Sequence, residues 1–313
     1  MRITSIRPFQ SFRPLNHENP LGLPRSGTPP RWPSRPQRRK IAGVDKVMAI
    51  SSAKGGVGKS TIAANLSLAF ARLGFRAGIL DTDVFGPSIP TLFGLSGEPR
   101  LSSNNQLVPL VNYGVKTMSM GYLIGEENPL VWRGPMVMKA IQQLLHEVDW
   151  GGLDVLVLDL PPGTGDTQLT ITQQVVLDGE RSFSYRNTET TAHLIVAGAV
   201  IVTTPHTLAT KDAVKGINMF KTVNVEILGL VQNMSLFRCP HCSEETDVFG
   251  SGRRVRRLCE EHEIDLLANI PLHSQIGEDG DMGKPTVVSE PASDRATLFL
   301  DLARAVHRKM GTS

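Results

Sequence analysis

The sequence predicts an α/β protein built on a mostly parallel sheet with helices on both faces. Three observations predict it. Short apolar runs recur at 47–51, 76–80, 154–160, 199–203 and 229–232, separated by longer stretches, several with apolar residues at helical spacing. The runs are apolar almost throughout, as strands covered on both sides require. The first three lead into KGGVGKST, DTD and PPGTGD, and the carboxyl ends of strands are where open sheets of this kind bind ligands.

A chain of 313 residues with 40% apolar content buries one large core, or one core and an appendage. No run of 18 uncharged apolar residues occurs, so no transmembrane helix is expected. The net charge of +3 is unevenly spread: residues 1–40 hold eight Arg and one Lys against the single acid Glu18. That segment carries +8 and residues 41–313 therefore carry −5. The basic total is thus no argument for nucleic-acid binding by the body of the chain. Rich in Arg and Pro and nearly free of acids, residues 1–40 have the composition of a disordered mitochondrial presequence, which predicts a matrix location. The other reading is a disordered basic tail that binds polyanions.

The most informative stretch is 46–61, KVMAISSAKGGVGKST. Gly55, Gly56 and Gly58 lack a Cβ, so the backbone can turn tightly and aim several N–H groups at one phosphate. A helix starting near Lys59 adds its partial positive end. Gly55, Gly56, Val57, Gly58, Lys59, Ser60 and Thr61 are the expected phosphate-binding residues, with Lys59 on the β- and γ-phosphates and the Ser60 hydroxyl on Mg²⁺. The pattern predicts a nucleotide-binding P-loop. It departs from the plain motif twice: Ala53 replaces the first glycine, and a second lysine, Lys54, sits near the start.

Beyond the loop, residues 60–73 read as a helix with apolar residues at 62, 66, 69, 70 and 73, ended by Gly74. Asp81 and Asp83 follow the strand at 76–80 and suit the ordering of water and Mg²⁺, or the capping of a turn. A helix is expected near Thr91, and 100–135 reads as irregular. Arg133 fits a loop salt bridge as well as an anion contact. The next helix buries Met138, Ile141, Leu144, Leu145 and Val148. Asp159 ends the strand 154–160 and suits indirect Mg²⁺ contact, while the Gly163 N–H is placed to sense a γ-phosphate. Asp166 suits a relay to a partner or an N-cap for a helix from Thr167. Residues 210–220 read as a helix.

Cys239-Pro240-His241-Cys242 brings two thiolates together at a turn, which serves zinc, an iron–sulfur cluster or a redox disulfide. Cys259 and His262 extend this to the spacing of a Cys₃His zinc site, yet Val255, Leu258, Cys259 and His262 also mark one helix face. The C-terminal stretch ATLFLDLARAVHRKM fits a helix packed on the domain or one lying on a membrane surface.

KGGVGKST, GPSIPTLFGL, WRGPMVMKAIQQLL, DLPPGTGD, GLVQNMSLFRCPHC and IPLHSQIGEDGDMGKP together resemble the deviant-Walker P-loop ATPases, a SIMIBI group that includes MinD, ParA and the nitrogenase iron protein. The likeness is to their Mrp/ApbC branch, and within it to the mitochondrial members that serve iron–sulfur assembly of respiratory complex I. It covers about 41–310 and implies a MinD-like domain, a weak ATPase, and a homodimer when ATP is bound. It implies that Lys54 reaches the partner's nucleotide, that Asp83 orders water and metal, and that Asn233, with backbone near Pro271, reads adenine. It also implies a 4Fe–4S cluster bridging the Cys239 and Cys242 pairs of two chains, delivered to apo iron–sulfur proteins such as complex I subunits. No nucleic-acid partner and no stable membrane insertion are expected. The alternatives are a MinD- or ParA-like organising ATPase without a cluster, and a cytosolic scaffold. One stretch stands apart: residues 179–197 are polar and aperiodic where the family runs straight from helix to strand. A translated retained intron and a tolerated surface loop both explain it.

Overall fold

The computed structural model describes residues 40–123, 134–165, 168–169, 171–172 and 198–311, which belong to one unit, Arg38–Ser313. The expectations for residues 1–39, Arg133, Asp166 and 179–197 lie outside the described residues.

The chain alternates strand and helix: β1 (Val44–Ser51), α1 (Lys59–Arg72), β2 (Ala77–Asp81), α2 (Ile89–Phe93), β3 (Leu110–Asn112), β4 (Val115–Ser119), α3 (Gly134–His146) and β5 (Leu153–Asp159). After β5 come β6 (Ala199–Thr203), α4 (Thr207–Thr222), β7 (Ile227–Gln232), β8 (Phe237–Arg238), β9 (Glu245–Thr246), α5 (Arg253–His262), β10 (Leu266–Asn269), α6 (Ser274–Asp281), α7 (Thr286–Ser289) and α8 (Asp294–Gly311). The large sheet has the order β10-β7-β6-β1-β5-β2-β4-β3, parallel except for β3 on β4. β1 lies in its interior, between β5 and β6.

Alternating side chains of the buried strands feed two cores. On β5, Leu156 and Leu158 face one core, built with Ile141, Leu144 and Leu145 of α3, Ile217 and Phe220 of α4, and Val255 and Leu258 of α5. Val155 and Val157 face the other, with Ile62, Leu66 and Phe70 of α1 and Phe299, Leu302 and Val306 of α8. α8 therefore spends its apolar face on the domain rather than on a membrane. Among the described residues no helix is long and apolar enough to cross one.

The region read as irregular contains two sheet strands, β3 and β4. β4 has the sequence VKTMS, whose buried Thr117 and Ser119 hide its strand character from an apolar-run search. Thr117 is satisfied by the Tyr122 hydroxyl at 2.9 Å and the Leu110 carbonyl at 3.2 Å. Elsewhere the expected elements stand within about three residues of their predicted ends.

Register aligns the carboxyl ends of the strands into one row. Ile50 and Asp81 each pair with Asp159, Ser119 pairs with Asp81, and Thr203 pairs with Gln232. The polar residues that end these strands converge on the edge where β1 passes into the glycine loop.

Candidate functional site

The loop after β1 has the backbone its glycines foretell. Gly56 and Gly58 take φ of 76° and 82°, in the left-handed region. Gly58 caps α1 without a side-chain acceptor, and the N–H groups of Lys59, Ser60 and Thr61 have no partner among the described residues. Val57 is buried in the α1–α8 core and fixes the loop from behind. A Cβ added at Gly55 or Gly56 would meet no atom within 4 Å, so this side of the loop is open. Ser52, Gly55, Gly56, Gly58, Lys59, Ser60, Thr61, Asp83, Ser88 and Pro162 line a cavity of about 260 Å³. Free N–H groups at a helix start, one lysine and several oxygen donors fit a Mg²⁺–nucleotide phosphate chain.

At the floor of the cavity Lys59 Nζ lies 2.5 Å from Asp159 Oδ1 and 3.2 Å from Ser60 Oγ. Asp159 is fully buried and its Oδ2 has no hydrogen-bond partner among the described residues. Burial pushes its carboxyl above the usual range, while Lys59 and the Ser60 hydroxyl pull it back. Asp81, also fully buried, accepts from the N–H groups of Asp83 (3.0 Å), Ser88 (2.9 Å) and Ile89 (3.2 Å) and from the Ser119 hydroxyl (3.1 Å). Burial and the neighbouring Asp159 push Asp81 up to about 7. Asp81 thus fixes the loop 82–88 from below. Asp83 faces the cavity, with Oδ1 held by the N–H groups of Phe85 and Gly86, both at 3.2 Å.

Other expected residues stand as follows. Lys54 is half-buried, and its side chain makes no hydrogen bond or ion pair among the described residues. The Gly163 N–H is not free in this conformation: it donates to the Ser52 carbonyl at 3.0 Å, tying the loop after β5 to the start of the P-loop. Asn233 donates through Nδ2 to the Val57 carbonyl at 2.8 Å, leaving Oδ1 for another donor. Ala53 is not among the residues with positive φ, so the missing glycine brings no backbone strain. Sequence reasoning missed Thr82, whose hydroxyl donates to the Asp159 carbonyl at 2.9 Å, and Gln168, which meets Ser51 Oγ at 3.4 Å. Thr82 lies inside DTD, where the two carboxylates drew the attention, and Gln168 has no motif to announce it.

The cysteine pair sits on a hairpin, β8 and β9, that leaves the same sheet edge. Its base is tied down by Ser235 N–H to the Ile270 carbonyl and Leu272 N–H to the Leu236 carbonyl. The turn is closed by Cys239 N–H to Glu244 O and Ser243 N–H to Cys239 O, both 2.9 Å. The N–H groups of Cys242 and His241 point at the Cys239 sulfur and, with the Cys242 thiol, lower its pKa. Cys242 is exposed and Cys239 half-buried. Cys259 does not join them: it lies on the core face of α5, and burial pushes its thiol up to about 11. Among the described residues no three His, Cys, Asp or Glu gather as a metal cluster, so a Cys₃His zinc site is not formed.

Comparisons with known proteins show the family of the chain. A family model described as ParA, NUBPL iron-transfer P-loop NTPase, matches residues 43–307. The iron–sulfur cluster transfer protein NUBPL of Mus musculus is 48% identical over 280 residues, covering 89% of this chain and 82% of that protein. The Arabidopsis thaliana iron–sulfur protein required for NADH dehydrogenase, mitochondrial, is 44% identical over 268 residues, covering 85% and 79%. Among solved structures, a nucleotide-binding protein from Archaeoglobus fulgidus in complex with ADP superposes with a TM-score of 0.65 at 35% identity, covering 83% of this chain and 94% of that one. The cell division ATPase MinD of Pyrococcus furiosus, 21% identical with a TM-score of 0.57 over 84% of this chain and 99% of that one, shares the fold. With its glycine loop, its buried carboxylates and its exposed cysteine hairpin on one sheet edge, the chain belongs to the ParA/NUBPL family of iron-transfer P-loop NTPases.

Proposed function

We propose that this chain is a nucleotide-gated carrier that holds a 4Fe–4S cluster as cargo and delivers it to apo iron–sulfur proteins, complex I subunits among them, in the mitochondrial matrix. The observation that carries the reading is the hairpin. It offers two accessible cysteines, one with a lowered pKa, at the edge that also holds the nucleotide cavity, and among the described residues no third His, Cys, Asp or Glu gathers with them. A cubane needs four thiolates, so one chain supplies half a site. Two copies with their carboxyl edges opposed supply the rest.

Gly55, Gly56, Val57, Gly58, Lys59, Ser60 and Thr61 hold the phosphates of ATP. Ser60 and Asp83 would supply oxygen donors to Mg²⁺, with Asp159 behind them, and the ion would neutralise phosphate charge. Asp83 orients the attacking water, and Asn233 Oδ1 is available to the adenine edge. Lys54, whose side chain has no partner among the described residues, fits a role across the dimer. A slow ATPase activity then sets the dimer geometry rather than driving flux. The names of the mouse and Arabidopsis relatives support both the cargo and the mitochondrial destination.

The test is anaerobic reconstitution with iron and sulfide of wild type and Cys239→Ser/Cys242→Ser, read by visible absorption, iron content and transfer to an apo acceptor. The wild type should bind four iron atoms per dimer and the double variant none. A double variant that loads as well as the wild type overturns the reading. Stoichiometric zinc without iron also overturns it.

A further inference from the structure

The sheet edge that carries the cysteine hairpin also carries an unusual arrangement of charge. α5 begins with RRVRR, and Arg253, Arg254, Arg256 and Arg257 are all exposed. Cations in the first turn oppose the helix dipole, which favours anions there, and the first turn of α5 holds no acid. Arg257 pairs with Glu261 at 2.7 Å, while Arg253, Arg254 and Arg256 have no ion pair among the described residues. Ten residues or so upstream, Glu244, Glu245 and Asp247 on the hairpin are exposed as well, and none pairs with an arginine among the described residues. Helix start and hairpin share the edge: a Cβ on Gly252 would reach the Gln232 amide at 3.0 Å, at the carboxyl end of β7, and the hairpin leaves that same strand.

Three acids and three arginines at one sheet edge, without ion pairs among the described residues, form a surface that is its own complement. A two-fold axis turns each such surface so that residue i of one chain meets residue j of the other and j meets i. We infer that Glu244, Glu245 and Asp247 of one protomer pair with Arg253, Arg254 and Arg256 of a second copy of this chain. The occupant of this surface is thus the identical chain. The inference rests on the reading that two chains oppose their carboxyl edges, which brings both hairpins to the axis. Each charge set is used twice per dimer, so the pairing selects the like chain and fixes the register in which two cysteine pairs meet. The arginines offset their conflict with the α5 dipole only on assembly, which accounts for their placement where a lone chain gains nothing from them.

The experiment uses the full chain, reconstituted anaerobically, with the dimer dissociation constant read by sedimentation at low salt. Three variants are compared with wild type: Arg253→Glu/Arg254→Glu, Glu244→Arg/Glu245→Arg, and the chain carrying all four changes. Each two-residue reversal should weaken the dimer tenfold or more, and the fourfold variant should return to within about threefold of wild type. Dissociation constants of the two reversals within twofold of wild type overturn the pairing. So does a fourfold variant no tighter than either reversal. Reversals that leave the dimer intact but slow transfer to an apo acceptor overturn it in favour of an acidic acceptor surface. A wild type that does not dimerise on loading refutes the carrier reading itself, an outcome distinct from a dimer indifferent to these charges.

Discussion

Lys59 Nζ and Asp159 Oδ1 stand 2.5 Å apart at side-chain exposures of 7% and 0%. The P-loop lysine is therefore neutralised from inside the protein, by the carboxylate at the tip of the neighbouring strand. The phosphate chain competes for that charge when it binds. Removing one partner of a buried pair leaves the other uncompensated and costs about 3–5 kcal/mol. Lys59→Ala should thus lose ATP binding and also lower the melting temperature of the nucleotide-free protein markedly. Fluorescent-nucleotide titration together with thermal denaturation checks both; a variant as stable as wild type contradicts the pairing.

Gly58 admits no side chain. Its φ is 82°, and a Cβ would lie 2.2 Å from Asn233 Nδ2, the group that holds the Val57 carbonyl. Gly58→Ala carries a left-handed penalty of about 1–2 kcal/mol and expels Asn233. ATP affinity should fall at least tenfold by isothermal titration, with the fold retained by circular dichroism.

Ala53 behaves in the opposite way. Since it does not occupy the left-handed region, restoring the motif's glycine relieves nothing. Ala53→Gly should leave the ATP dissociation constant within twofold of wild type.

The raised pKa of Asp81 has a definite sign in stability. Its folded value, about 7, lies above the ordinary 3.8, so between those pH values the native state holds a proton that the unfolded chain has lost. Stability from this group is full below about pH 4 and declines as pH rises through 7. Asp81→Asn removes the titration. The melting temperature of Asp81→Asn minus that of wild type should become more positive from pH 5 to pH 8, and a flat difference contradicts the assignment.

The three thiols should separate by reactivity. Cys239 is pulled toward the thiolate and Cys242 is exposed, whereas Cys259 is buried with its pKa up to about 11. Brief iodoacetamide treatment of the cluster-free protein at neutral pH should modify Cys239 and Cys242 and spare Cys259, as peptide mass spectrometry would read.

Much of this site was legible in the sequence because its residues are contiguous. The loop 55–61 states its own geometry, and the strand tips at Asp81 and Asp159 follow from apolar runs of the right length. Less legible was whatever depends on a distant partner. That the Gly163 N–H is engaged by Ser52, or that the Asn233 amide serves Val57, is decided by register across the sheet. β4 escaped because buried hydroxyls replace the apolar side chains by which strands are recognised. The two-residue strands of the hairpin are too short for any periodicity.

β5 and β6 lie on opposite flanks of β1 and do not touch each other. The connection between them joins two strands that β1 holds in place. Residues 179–197 roughly double that connection. By chain-closure entropy alone a doubling costs about 0.6 kcal/mol. On that count the fold tolerates variation in length between β5 and β6 at almost no thermodynamic expense.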